Sequence, residues 1–159
     1  MFRRDTTIYT ICHGRHPFEV FLSLLKQFDV RFVCDVRNFA RSRWAQYNGR
    51  SLAARLTEAG IGYEHLPECG GKLIASPGEL ARGLDRITEL AADVCVALMC
   101  SESQPLTKHV SPRANCHRVG LLAVPLEERG ARIIHILPSG ETLEVDEKSL
   151  PSVWTVDGV

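Results

Sequence analysis

Residues 94-VCVALMC-100 carry no charge and no turn former, and they run from Asp93 into the polar stretch 101-SESQ-104. Such a run is short for a buried helix and suits a strand covered on both faces, the environment of a central strand in a parallel sheet. Parallel neighbours require crossover helices, so helical patterns are expected on either side of each strand. Four further runs have strand composition: 7-TIYTIC-12, 31-RFVCDV-36, 62-GYEHL-66 and 132-RIIHIL-137. In 17-PFEVFLSLLKQF-28, Phe18, Phe21, Leu22, Leu25 and Phe28 recur at helical spacing behind a proline suited to a first turn. In 51-SLAARLTEAG-60, Ser51 offers an N-cap and Gly60 a left-handed stop. In 76-SPGELARGLDRITELAA-92, Ser76 and Glu79 make a capping box, and Leu80, Leu84, Ile87 and Leu90 or Ala91 form the buried face. A fourth helix is expected from about Cys116 to Arg129, kinked or broken at Pro125, which lacks a backbone donor.

Strand and helix alternate, which predicts an α/β fold: one three-layer, doubly wound domain with a mostly parallel sheet of about five strands and right-handed crossovers. Residues 138-PSGETLEVDE-147 suggest a turn and an antiparallel edge strand. The domain is expected over 1–146, with a tail over 147–159 that includes Trp154. No internal repeat and no low-complexity segment interrupts it.

The chain has 159 residues, 45% of them apolar, enough for one compact core. Nineteen basic side chains balance nineteen acidic ones, which argues against a general nucleic-acid coat or a membrane-surface protein. No apolar run approaches the length that spans a bilayer, and the N-terminal segment lacks signal-peptide character, so a cytoplasmic protein is expected. The six cysteines lie largely within apolar runs and read as free thiols.

Ligands of open parallel sheets bind beyond the carboxyl ends of the strands. The first strand ends in 12-CHGRH-16, where His13 and a glycine precede a helix N-terminus. The second ends in 35-DVRNFARSRW-44, where Asp35 is followed by Arg37, Arg41, Ser42 and Arg43, with Trp44 and Tyr47 nearby to stack a base. Gly70, Gly71 and Lys72 follow the third strand but lack the full phosphate-loop pattern, which excludes an NTPase of that kind. At the end of the fourth strand Cys100 meets a polar loop, so its thiol is expected to be partly exposed, with Glu102 close by in sequence. Cys34 and Cys95 read as packing residues. Cys116, His117 and Arg118 open the next helix and supply the helix terminus, imidazole and guanidinium that favour a thiolate. A cysteine-phosphatase loop is disfavoured, because Leu106 stands where Cys-x5-Arg requires arginine. Cys100, His109, Cys116 and His117 match no zinc spacing. A disulfide between Cys100 and Cys116 is a further possibility.

Four motifs in order, Asp-Val-Arg with Phe-x-Arg-Ser-Arg at 35–43, Leu-Pro-x-x-Gly-Gly at 66–71, Cys-x-Glu at 100–102 and Cys-His-Arg at 116–118, resemble the domain of unknown function family 488. The resemblance covers about residues 7–137 and implies an α/β domain with a shared site, but no reaction. It implicates Asp35, Arg37, Arg41, Ser42, Arg43, Cys100, Glu102, Cys116, His117 and Arg118. Ala40, Cys12, Pro125 and a long loop from Ser103 to Asn115 depart from the family pattern.

Together these readings give an enzyme acting on an anionic small molecule, nucleotide or nucleic acid. Cys100 would be nucleophile or redox centre, Glu102 and His117 would move protons, and Asp35, Arg37, Arg41, Ser42, Arg43 and Arg118 would form the anion site. Cys116, His13 and Lys72 are further candidates. A non-catalytic nucleotide or nucleic-acid binding module and a Cys/His metal site are the alternatives, and no cofactor is specified.

Overall fold

The computed structural model describes residues 6–71, 73, 75–100 and 118–144. Its six strands are β1 (Thr7–Cys12), β2 (Phe32–Asp35), β3 (Gly62–His65), β4 (Val96–Cys100), β5 (Arg132–Ile136) and β6 (Thr142–Leu143). They lie in the order β3-β2-β4-β1-β5-β6, all parallel except β6, which pairs antiparallel with β5. The fold class is therefore the α/β class expected, including the antiparallel edge. Within the uncharged run 94–100, β4 occupies an interior position of the sheet, and each of its residues is buried.

Helices α1 (Phe18–Gln27) and α2 (Gly49–Glu58) cover one face, where Phe21, Leu25, Leu52 and Leu56 pack on Ile11, Val33, Ala97 and Met99. Helices α3 (Pro77–Ala91) and α4 (Val124–Glu128) cover the other, where Leu84, Ile87 and Leu126 pack on Ile8, Cys34, Val96 and Leu98. Alternate residues of each strand feed opposite cores, as a sheet with two covered faces requires.

The caps differ in detail from expectation. Helix α2 begins at Gly49, ahead of Ser51. The earlier start follows from a close approach: the Gly49 amide donates to the Ala40 carbonyl at 2.8 Å, and a Cβ at Gly49 would lie 2.7 Å from the Ala40 methyl. At α3, Ser76 does cap, its hydroxyl accepting from the Glu79 amide at 3.3 Å and donating to the Glu79 carboxylate at 2.9 Å. Pro125 does not kink one long helix. A π-helical turn over Arg118–Ala123 precedes it, and Pro125 falls in the first turn of α4, where a missing donor costs nothing.

Candidate functional site

Helix α1, the element after β1, and helix α4, which comes after β4, cover opposite faces of the sheet, although the two strands are neighbours. Diverging connections open a crevice at the carboxyl ends of such a pair, and this is where α/β sheets place ligands. Around it lies a cleft of about 770 Å³, lined among others by His13, Arg15, His16, Arg41, Arg43 and Trp44. The volume falls in the range of small-molecule sites.

A buried polar network supports one wall. Asp35 is fully buried and Arg37 is 7% exposed. The Arg37 Nε donates to Asp35 Oδ1 at 2.8 Å and Nη2 to Oδ2 at 2.7 Å, a two-pronged pair, and the Arg37 amide adds a bond to Oδ1 at 3.2 Å. The Tyr63 hydroxyl donates to Oδ2 at 2.5 Å, and the phenol stays above its ordinary pKa, first through burial and then through the Asp35 charge. Burial opposes the charge on Arg37, but the hydrogen bond and charge of Asp35 outweigh it and raise the guanidinium pKa. Nη1 donates onward to the Arg41 carbonyl at 3.2 Å, fixing the turn that carries the outer arginines. Arg37 thus faces Asp35 and the turn, and neither residue lines the cleft.

His13 is 3% exposed and stacks on Tyr47, with centroids 4.4 Å apart and planes 14° from parallel. Its Nδ1 lies 2.9 Å from the Gly14 carbonyl and its Nε2 3.5 Å from Arg37 Nη1. A carbonyl only accepts, so Nδ1 donates to Gly14. Gly14 follows with φ +49°, a left-handed turn that suits glycine. His65 Nε2 donates to the Arg37 carbonyl at 2.7 Å, since that oxygen can only accept.

Arg41 and Arg43 are exposed at the cleft, as is Arg15, and among the described residues none of the three forms an ion pair. Arg31, Arg86, Arg129 and Arg132, away from the cleft, each pair with a carboxylate. No carboxylate lines the cleft among the described residues. Ser42 shapes its turn: the hydroxyl accepts from the Trp44 amide at 3.0 Å, while its own amide donates to Asn48 Oδ1 at 2.8 Å.

The expectation of a partly exposed thiol at Cys100 is corrected. The side chain is 1% exposed, on the sheet face that packs against α3 and α4. The strand stays paired to its last residue, and the His13 amide donates to the Cys100 carbonyl at 3.0 Å, which carries the ladder past the strand ends. Cys34 is buried as expected, but Cys95 is only half-buried because it precedes β4, its thiol 3.8 Å from the Phe28 carbonyl. Lys72, Glu102, Cys116 and His117 lie outside the described residues, as does His109; of Arg118 only the backbone is described. Among the described residues no three His, Cys, Asp or Glu side chains cluster as metal ligands, and no helix is long and apolar enough to cross a membrane.

The structure adds residues that periodicity could not single out. Tyr63 reaches Asp35 because β2 and β3 pair with Asp35 opposite His65, and pairing register is not written in either strand alone. Asn38 grips the β3–α3 connection: its Nδ2 donates to the Pro67 and Leu73 carbonyls at 3.1 and 2.9 Å, and its Oδ1 accepts from the Leu73 amide at 2.8 Å. Gly70 is needed there, since a Cβ would collide with the Asn38 side chain and amide. Cys12, beside Cys100 on the neighbouring strand, lines the cleft.

No curated protein and no solved structure matches the chain. Residues 17–76, which hold α1, β2, the arginine turn, α2, β3 and the Asn38-bound connection, match the family model described as Domain of unknown function DUF488.

Proposed function

We propose that the protein binds an anionic small molecule of nucleotide size in the cleft beyond β1 and β2. The observation that carries this reading is the company of Arg15, Arg41 and Arg43, three guanidiniums around one cleft with no carboxylate among its described lining residues. Such a grouping is repulsive without a counter-charge, and planar guanidinium donors match phosphate or carboxylate oxygens. Trp44, half-buried at the same cleft, offers a face to an aromatic base. Asp35 and Arg37 serve this reading from behind the wall by holding the Arg41 turn and His13 in place. Cys100 has no nucleophilic role in it, because its side chain does not line the cleft.

Calorimetry with adenosine 5′-monophosphate, ribose 5-phosphate, inorganic phosphate and adenosine tests the reading. The three phosphates should bind, with affinity falling as salt is raised, and adenosine should bind weakly or not at all. Arg41→Gln together with Arg43→Gln should cost at least about tenfold, the scale of one lost charge-assisted hydrogen bond. Binding that is indifferent both to salt and to these substitutions would end the proposal.

A further inference from the structure

Cys12 and Cys100 are register partners on neighbouring parallel strands. Register partners project to the same face, and parallel strands lie about 4.8 Å apart, inside the roughly 4.4–6.8 Å Cα range that a disulfide spans. The His13–Cys100 backbone bond and the Val36 amide on the Met99 carbonyl, each 3.0 Å, hold both sides of β4 at this level, so the pair is not at a fraying end. The two cysteines also stand at the carboxyl ends of β1 and β4, neighbouring strands whose following helices α1 and α4 cover opposite faces, the crevice position of the sheet.

Their surroundings set them apart from the other described cysteines. Cys12 is 2% exposed yet lines the cleft, beside His13, Arg15, His16 and Arg41. Cys34 and Cys69 are wholly buried, and burial raises both thiols, Cys69 to about 12. Cys95 stands at the opposite end of β4.

We propose that Cys12 and Cys100 form an oxidisable dithiol that takes small hydroperoxides entering through the cleft, whether or not an anion binds there. The Cys12 thiolate attacks the outer oxygen of the hydroperoxide, and the O–O bond breaks. The departing alkoxide or hydroxide takes up the proton that Cys12 released, leaving a sulfenic acid on Cys12. The Cys100 sulfur then displaces the sulfenic hydroxyl, which leaves as water with the Cys100 proton, and the S–S bond forms. Two thiols lose two electrons in all, and one hydroperoxide becomes an alcohol or water, plus water.

The test is limited oxidation of the full chain with hydrogen peroxide, then alkylation, digestion and mass spectrometry. The expected product is a Cys12–Cys100 linked peptide, with Cys12 oxidised at least tenfold faster than Cys69, which serves as the buried reference. In Cys100→Ser, dimedone should trap a sulfenic acid at Cys12; in Cys12→Ser, Cys100 should remain alkylable after unfolding. A disulfide from Cys100 to Cys116, or oxidation of Cys12 no faster than Cys69, overturns the proposal. The peptide map of the unsubstituted chain decides the matter even if neither variant folds.

Discussion

Replacing Asp35 by Asn preserves shape and removes one charge, which makes it a sharp probe of the wall behind the cleft. The carboxylate accepts four hydrogen bonds, from the Arg37 amide, Nε and Nη2 and from the Tyr63 hydroxyl. An amide oxygen in place of Oδ1 retains the first two. An NH₂ in place of Oδ2 cannot accept from Arg37 Nη2, the Tyr63 hydroxyl has to turn and accept from it instead of donating, and the 7%-exposed guanidinium loses its counter-charge. Breaking one side of a buried pair in this way costs about 3–5 kcal/mol. With a urea slope of about 2 kcal/mol per molar, the unfolding midpoint should fall by about 1.5–2.5 M. Tyr63→Phe removes a single donor and should cost about 1–2 kcal/mol. The double change Asp35→Leu with Arg37→Met leaves no stranded charge and should be less damaging than Asp35→Asn alone. A loss under about 1 kcal/mol for Asp35→Asn, or a double variant worse than that single one, would refute the claim that charge pairing holds this wall.

Alkaline stability should report the buried thiols. Cys69 is held at about 12 against an ordinary 9.0, through burial first and Glu68 second, so its contribution is complete below about pH 9 and is lost as pH climbs toward 12. Cys34 shifts in the same direction, so the urea midpoint should decline above about pH 9, and Cys69→Ala should shallow that decline. Two glycines of α3 should respond oppositely to alanine. At Gly83 a Cβ would lie 2.6 Å from Cys69 Sγ and 2.8 Å from Glu68 Cγ, so Gly83→Ala should destabilise by about 1–3 kcal/mol in thermal unfolding. At Gly78 nothing lies within 4 Å, and Gly78→Ala should be neutral or stabilising by up to about 1 kcal/mol.

The architecture was legible because each strand and helix advertises itself locally: an uncharged run at 94–100, a helical stripe from Phe18 to Leu25, a Ser-Glu cap at 76–79. Sheet order was not, since Cys12 meets Cys100 and Asp35 meets Tyr63 only after distant strands choose neighbours. The same limit shaped the reading of the site. Arg37 looked like an anion ligand because its partner two residues away could equally have faced solvent, whereas the fold seals both and leaves Arg41 and Arg43 outward. Cys100 was misjudged in exposure because the end of an apolar run marks where a strand stops, not where water begins.

Asn38 has a mechanical consequence. One side-chain amide rivets the stretch after β3 to the stretch after β2, through three bonds to Pro67 and Leu73. These two stretches must therefore travel as a single plate.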